Sequence, residues 1–318
     1  MRGVKKNLIQ NNFGLAGVIE ALLLVGLVAV ILSTIQLAYI PEVMKQKETD
    51  HLDDVEKQFA QIKSVTETQS MMGIVQTDET IAYSPMSSPL TLGTKKLPYF
   101  VTSNSLGFLK IIDKDDAINI NITVNSTGYK NSIPLTSIRY TFYSMYQGYN
   151  TNYIYEGGGI IRNQTGGKYN TGEAMRINPA ITTNYSSENN LLEIYYYIPV
   201  FNCAPGKEQT QGLDLTYIRT NYTRDVSYTG TLSDPDQHSI KIYSDYLDAW
   251  NKSFMDDRVG ILWEYANDKD VKGNYVNVTY EKTQNPPYIK ISPSEKDIKI
   301  YFTKVELGIQ LGLGTILS

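Results

Sequence analysis

The sequence predicts an α+β protein in which a long hydrophobic helix precedes a β-rich, antiparallel, sandwich-like domain with one amphipathic helix. Three observations lead to this prediction. The stretch Leu15–Ile40 runs for 26 residues with a single charge, that of Glu20. Several later segments alternate apolar and polar residues with a period of two, which is typical of strands that bury one face. The chain also has 25 tyrosines, and tyrosine suits the half-buried surface of a sheet.

The hydrophobic stretch divides the chain into four predicted parts. These are a basic leader at 1–14, a transmembrane or assembly helix at 15–40, a charged helical stalk at 41–73 and an extracellular β-rich domain at 74–318. A membrane-spanning helix needs about 20 apolar residues, so the stretch is long enough. It is too long for the apolar core of a cleaved secretory signal, which has about 7–15 residues.

The charges around the stretch predict its orientation. Arg2, Lys5 and Lys6 precede it with no acidic residue among them, and positive flanks favour the cytoplasmic side of a membrane. A carboxylate at membrane depth is costly, so we expect Glu20 near the headgroups, protonated or paired. The sequence therefore predicts a cell-membrane protein whose larger part lies outside the cell.

The N-terminus also resembles a known family. The leader that ends in Gly14, followed by LAGVIEALLLVGLVAVILSTIQ, is similar to archaeal type IV pilin-like proteins, which carry a class III, prepilin-type signal sequence. The segments STIQLAYIPEVMKQKETDHLDDVEKQF, SPLTLGTKKLPYF and SDYLDAWNKSF resemble membrane-anchored archaeal cell-surface proteins with pilin-like N-termini. The likeness is carried mainly by the helix and the segment after it.

This resemblance implies a processing site and an assembly residue. A prepilin peptidase would cut between Gly14 and Leu15, and Glu20 would dock the subunit among its neighbours. Glu20 is the sixth residue after Gly14, whereas bacterial pilins have this glutamate fifth. A cut after Leu15 restores that spacing, but the leader would then no longer end in glycine. The implied partners are the membrane, the pilus assembly machinery and further copies of the chain in a helical homopolymer.

The stalk is predicted from the residues after the hydrophobic stretch. Pro41 kinks or ends a helix, because proline has no N–H and clashes with the preceding turn. Leu52, Val55, Phe59 and Ile62 then recur at spacings of three and four and form one apolar stripe. The stripe packs either on the outer domain, which we favour, or on neighbouring copies. His51 stands among aspartates, and we expect it on a solvated helix face rather than in a metal site.

The outer domain is predicted from alternating segments. Ile118–Val124 and Tyr275–Glu281 read as strands with one buried face, and 191–200 is a further candidate. We expect Ile261–Ala266 to be the strand that pairs with Tyr275–Glu281. Near the C-terminus the alternation changes parity, which predicts a β-bulge near Thr303–Lys304. The apolar residues before and after the change are Ile298, Ile300, Phe302, Val305, Leu307, Ile309 and Leu311.

One segment of the outer domain has helical periodicity. Tyr243, Leu247, Trp250 and Phe254 lie on one face of a helix within SIKIYSDYLDAWNKSFMDDR. We expect this amphipathic helix to pack on the sheet.

Glycosylation is predicted from seven Asn-x-Ser/Thr sequons, all after residue 120. Sequons arise by chance in a chain rich in Asn, Ser and Thr, but all seven lie on the side predicted to be extracellular. Three of them, Asn121, Asn125 and Asn277, fall on the polar positions of predicted strands. We therefore expect N-linked glycans at some of the following residues: Asn121, Asn125, Asn163, Asn184, Asn221, Asn251 and Asn277.

No catalytic, cofactor or metal motif stands out. The sequence has no G-x-S-x-G, H-E-x-x-H or P-loop, and Asp268–Gly273 copies only the first half of a calcium loop. The net charge of −4 gives no support to nucleic-acid binding. The single cysteine, Cys203, is expected to be a buried small hydrophobe, although it could also link two chains. We predict that the protein is not an enzyme and needs no cofactor.

Together these patterns predict a structural subunit of a cell-surface, type IV pilus-like filament. The N-terminal helix would assemble the filament, and the glycosylated β-rich domain would serve adhesion or surface contact. Two alternatives remain. One is a non-polymeric, membrane-anchored surface glycoprotein, and the other is a tethered ligand-binding or hydrolytic ectodomain.

Overall fold

The computed structural model describes residues 12–75, 85–95, 103–123, 130–166, 172–186, 191–267 and 275–312. Within these ranges a long N-terminal apolar helix leads into a domain built from β-sheets. The predicted α+β class and the β-rich, largely antiparallel domain are thereby confirmed. The leader up to residue 11, the sequon at Asn125 and the segment Asp268–Gly273 lie outside the described residues.

The N-terminal helix is continuous over its described length. It consists of α1, Asn12–Thr34, a π turn, Ile35–Tyr39, and α2, Ile40–Val75. A proline inside a helix lacks an N–H and crowds the carbonyl four residues earlier. Here the wider π turn lies directly before Pro41 and is closed by the amide of Ile40 on the carbonyl of Ile35. The helix therefore does not end at Pro41.

The described segments of the β-domain form three sheets and two further short helices. The strands are β1 Met86–Thr91, β2 Leu106–Ile112, β3 Ile118–Thr123, β4 Lys130–Leu135, β5 Ser137–Tyr143, β6 Asn150–Glu156, β7 Gly159–Thr165, β8 Gly172–Ile177, β9 Ile181–Ser186, β10 Leu191–Cys203, β11 Gln209–Gly212, β12 Leu215–Leu232, β13 Ser239–Tyr243, β14 Val276–Glu281, β15 Tyr288–Pro293 and β16 Ile298–Leu311. The helices are α3 Leu247–Met255 and α4 Trp263–Asn267.

The strand orders define a central, a second and a third sheet. The central sheet has the order β1-β12-β16-β10-β9, the second β11-β2-β5-β6-β7-β8 and the third β14-β15-β13-β3-β4. The pairing of β10 with β16 is parallel, and the other described pairs are antiparallel. Pro89 is tolerated in β1 because β1 is an edge strand, where a missing N–H breaks no inner ladder.

The central sheet separates two hydrophobic cores. Ile298, Ile300 and Phe302 of β16 belong to the first core, which the third sheet and α3 also line. Val305, Leu307, Ile309 and Leu311 belong to the second core, which α2 and the second sheet also line. Successive side chains of a strand point to opposite faces. The change of parity therefore means that the two halves of β16 bury opposite faces in different cores.

The predicted bulge at Thr303–Lys304 is wrong. β10 and β16 keep one uninterrupted register from Leu192 opposite Ile298 to Cys203 opposite Ile309. The irregularity of this sheet lies instead on β12, between Tyr222 and Arg224. The sequence of β16 alone could not distinguish an inserted residue from a second core on the opposite face.

The other predicted strands have mixed outcomes. Ile118–Thr123, Val276–Glu281 and Leu191–Cys203 are strands as expected. Ile261–Ala266 is not a strand, because Trp263–Asn267 forms α4 and β14 pairs with β15. Leu262 and Tyr265, three residues apart, are both buried in the first core. One helical turn brings two such residues to the same side, whereas a strand would point them to opposite sides.

The amphipathic helix is shorter than the sequence predicts. Leu247, Trp250 and Phe254 lie on α3 and are buried. Tyr243 is the last residue of β13 and stacks obliquely on Tyr288 of β15, with ring centroids 5.3 Å apart. The chain turns between the two elements, so the helical face begins only at Leu247.

Candidate membrane and assembly surface

The first half of the long helix is exposed on all sides. Large apolar side chains are exposed from Val18 to Tyr39. Their exposed fractions range from 45% at Val28 to 79% at Leu37. Burial begins abruptly at Ile40, which is 3% exposed, and continues along α2. Among the described residues, one helix is long and apolar enough to cross a membrane, and it is this one.

Polar groups are few on this exposed half. Glu20 lies near its start with an exposed side chain. Thr34 near its end donates its hydroxyl proton to the carbonyl of Val30 at 2.9 Å, so this hydroxyl needs no water. α1 is described from Asn12 onward, so the backbone at the expected cleavage point between Gly14 and Leu15 is helical. The exposed surface from Ala16 to Tyr39 is thus mostly apolar, with Glu20 as its one acidic or basic residue.

Two glycines of α1 leave room for close contact with another helix. A methyl group added at Gly17 or Gly26 would meet no atom within 4 Å. Small residues let helix backbones approach closely in apolar surroundings, where packing drives association. The exposed surface of α1 therefore leaves space at Gly17 and Gly26 for a neighbouring helix.

The second half of the helix is built into the β-domain. Leu52, Val55, Phe59 and Ile62 are buried in the second core. The predicted stripe therefore packs on the chain's own domain and not on a neighbouring copy. Polar residues lengthen the buried face in both directions, among them Glu48, His51, Thr66 and Gln69.

Glu48 is the most connected of these buried polar residues. Its carboxylate is fully buried and accepts hydrogen bonds from the hydroxyls of Ser105 and Ser144 and from the amides of Met145 and Gln147. The bond from Ser144 is 2.7 Å long and those from the two amides are 2.9 and 3.1 Å. Glu48 thereby ties the loop after β5 to the helix.

His51 is also buried, which corrects the prediction of a solvated helix face. Its Nε2 lies 2.9 Å from the hydroxyl of Tyr140, and its ring lies 5.0 Å from that of Phe142. Burial lowers the pKa of His51 to about 4 and raises the pKa of Tyr140 well above its usual value. Both groups are therefore neutral near pH 7 and contribute hydrogen bonding to the packing of α2.

Further polar contacts fix α2 along its length. The carboxylate of Glu56 accepts from Arg176 at 2.9 Å and from the hydroxyl of Tyr153 at 3.2 Å. The ammonium of Lys63 donates to the carbonyl of Gly158 at 2.6 Å, and the amide of Gln69 donates to the carbonyl of Thr220 at 2.9 Å. These side chains hold α2 against the second sheet and the central sheet. Sequence reasoning missed them, because charges on a helix read as a solvated face.

The described sequons differ in exposure. Asn121, Asn184 and Asn277 are exposed, whereas Asn163, Asn221 and Asn251 are half-buried. Asn121 and Asn277 stand on the polar side of β3 and β14, as predicted. The sequons are spread over all three sheets, and the structure does not bring them together.

A largely apolar pocket of about 460 Å³ lies beside the C-terminal end of α2. It is lined by Met71, Ile74, Val75 and Tyr197 among others. The hydroxyl of Tyr155, at its wall, is engaged with Thr66 at 2.8 Å. The pocket contains no predicted site residue. Among the described residues no three His, Cys, Asp or Glu side chains are grouped as metal ligands would be.

Cys203 is a free, buried thiol in the second core, as expected from the sequence. Burial raises its pKa to about 12. It behaves as a small hydrophobic residue in the fold.

The fold and this surface define an α+β protein whose N-terminal helix is apolar and unburied in its first half and part of a β-rich domain in its second. No known family, curated protein or solved structure matches the chain.

Proposed function

We propose that this protein is a membrane-inserted subunit of a type IV pilus-like filament on an archaeal cell surface. α1 would hold the subunit in the membrane and then pack among the helices of other copies. The β-rich domain would form the glycosylated exterior of the filament and serve adhesion or surface contact. One observation carries the proposal. The first half of the long helix, α1, is apolar and unburied, and the second half, α2, is buried in the β-rich domain.

A plain anchor and an assembly helix make different demands on α1. An anchor needs only about 20 apolar residues. Helices that also pack together benefit from small residues at their contacts, which Gly17 and Gly26 supply. Among the packed helices of a filament, Glu20 would be surrounded by apolar side chains, where a charge is costly unless it has a partner, and a neighbouring subunit would supply one. Glu20 and the glycines therefore favour assembly over simple anchoring.

The partners of the proposed subunit follow from this role. They are other copies of the chain, the membrane, a prepilin peptidase that cuts between Gly14 and Leu15, the pilus assembly machinery, and N-linked glycans on exposed sequons.

A non-polymeric, membrane-anchored surface glycoprotein is the second candidate. It is favoured by the same unburied helix, which is sufficient for anchoring without any contact between copies.

Two measurements test the proposal together. Mass spectrometry of the N-terminal peptide from cell-surface material should find a start at Leu15, or at Ala16 if the cut follows Leu15. Electron microscopy of cells that express Glu20→Ala should show loss of filaments, whereas Glu42→Ala should leave them intact. Glu42 is a matched control, because its side chain is 80% exposed just outside the apolar stretch. A chain that starts at Met1 and forms no filaments would support the plain anchor instead.

A further inference from the structure

Three apolar side chains are exposed at the end of the β-domain from which α1 emerges. Leu106 begins β2 and lies directly opposite Tyr143, which ends β5. Met145 follows two residues later. They are 50%, 47% and 58% exposed respectively. We call these three residues the near-end cluster.

The near-end cluster is held in place by the helix. Ser105 and Ser144, the neighbours of Leu106 and Tyr143, both donate to the carboxylate of Glu48, and so does the amide of Met145. The side-chain amide of Gln147 donates to the hydroxyl of Thr49 at 3.0 Å. A fully buried carboxylate with this many donors fixes the loop. The cluster therefore presents its apolar side chains at a defined height along the helix.

That height can be compared with the expected position of a bilayer. The uncharged run Ala21–Pro41 lies between Glu20 and Glu42. At 1.5 Å per residue it spans about 31 Å, which matches a hydrocarbon core of about 30 Å. The headgroup layer adds roughly 5–8 Å on each side and so reaches the level of Lys45.

The near-end cluster lies at the level of helix residues 45–49, directly above this layer. Gln147 contacts Lys45 and Thr49 there. Membrane helices are tilted by about 20° on average, and such a tilt lowers one side of the domain by several ångströms. Leu106, Tyr143 and Met145 would then reach the headgroups. Tyrosine is enriched at this depth because its ring is apolar and its hydroxyl polar.

We propose that the near-end cluster rests on the outer surface of the phospholipid bilayer and sets the tilt of the domain before any assembly. This rests on the membrane insertion that the proposed function includes. The apolar surface of the cluster would thereby continue that of α1 along the membrane interface.

The test uses the full chain in vesicles of phosphatidylcholine and phosphatidylglycerol. In a Cys203→Ala background, single cysteines at Met145→Cys, Leu27→Cys and Val259→Cys carry an environment-sensitive fluorophore, and spin-labelled lipid is the quencher. Leu27 lies in the middle of α1 and reports insertion. Val259 is 69% exposed in the turn after α3, a helix that packs in the first core, and is the matched control.

We expect a blue-shifted emission and a loss of intensity with headgroup-labelled lipid at position 145, and neither change at position 259. Quenching at 27 without quenching at 145 would overturn the cluster proposal and leave membrane insertion standing. Absence of quenching at 27 by lipid that carries the spin label on its acyl chain would overturn insertion itself. Quenching at 145 by a second, quencher-labelled copy of the chain, and not by lipid, would assign the surface to a contact between subunits and also overturn the proposal.

Discussion

His51 Nε2 lies 2.9 Å from the hydroxyl oxygen of Tyr140, and that hydroxyl donates its proton to the carbonyl of Leu92. A tyrosine hydroxyl has one proton. The histidine nitrogen must therefore be the donor of the first bond, and neutral His51 carries its proton on Nε2. The chain of bonds joins α2 to β5 and then to the end of β1.

This relationship predicts that the protein loses stability in mild acid. Burial lowers the pKa of His51 from 6.5 to about 4, so between these values the unfolded chain binds a proton that the folded chain does not. The contribution of His51 to the free energy of unfolding should be fully present above about pH 6.5. It should be lost as the pH drops towards 4, by on the order of 3 kcal/mol at most. Urea unfolding of the detergent-solubilised chain across this range measures the loss.

The control for this prediction is His51→Gln. Glutamine can still donate to Tyr140 but does not titrate, so the variant should show a smaller dependence on pH in the same window. An unchanged slope in His51→Gln would mean that other groups cause the acid sensitivity.

Glu48→Ala should destabilise the domain strongly. The substitution removes the carboxylate that accepts from the buried hydroxyl of Ser105 and from the part-buried Ser144 hydroxyl and the amides of Met145 and Gln147. Such a loss costs on the order of 3 kcal/mol, and hydrogen exchange should accelerate first at the amides of Met145 and Gln147. The exposed Glu42→Ala is the control and should change the free energy of unfolding by less than about 0.5 kcal/mol. Equal stability of the two variants would contradict the role given to Glu48.

Glu48 also shows what the sequence could not predict. The apolar stripe on α2 was predicted because its residues are three and four positions apart along one helix. The partners of Glu48 are 57 to 99 positions away, and no local pattern connects them to it. A glutamate among charged residues therefore reads as solvated, and the same reasoning placed His51 on the wrong side of the helix.

The strands show a similar limit. The alternation of apolar and polar residues predicted β3 and β14, because burial of one face of a strand gives a period of two. It also revealed the change of parity in β16. It could not show that β16 contributes to two cores, since that depends on which sheets lie above and below it. The short α4 was missed because one helical turn is too brief for a period to be recognised.

Gly73→Ala should weaken the packing of α2 on the central sheet. The added methyl carbon would lie 2.2 Å from a ring carbon of Tyr222, beside the bulge of β12. The ring or the helix must shift, which typically costs about 1–3 kcal/mol. Thermal unfolding should report the loss. Gly26→Ala, with no atom within 4 Å, is the control and should not lower stability. If Gly73→Ala unfolds like the parent, Tyr222 can move aside without cost.

Cys203 should resist alkylation in the folded protein. With a pKa near 12, its thiolate fraction at pH about 8 is on the order of a thousandfold below that of an exposed thiol. Iodoacetamide should therefore modify Cys203 only after denaturation, as mass spectrometry of the intact chain would show. Val259→Cys provides an exposed thiol in the same molecule for comparison. Comparable rates at both positions would mean that the second core opens readily.

Glycan occupancy should follow the exposure of the sequons. Asn121, Asn184 and Asn277 are exposed, and Asn121 and Asn277 project from the polar side of their strands. A glycan is bulky and needs solvent around its attachment point, so these three should be occupied before Asn163, Asn221 and Asn251.

Glycopeptide mass spectrometry of the native protein measures this order directly. Asn277→Gln should lower the mass of the intact protein by one glycan, whereas Asn251→Gln, on a half-buried position of α3, should leave it unchanged apart from the substitution. Equal occupancy at Asn251 and Asn277 would show that the glycosyl-transferring enzyme acts on the chain before it folds, because only an unfolded chain presents both sites equally. Absence of glycans at every sequon would remove the glycosylated exterior from the proposed filament and leave its assembly through α1 unaffected.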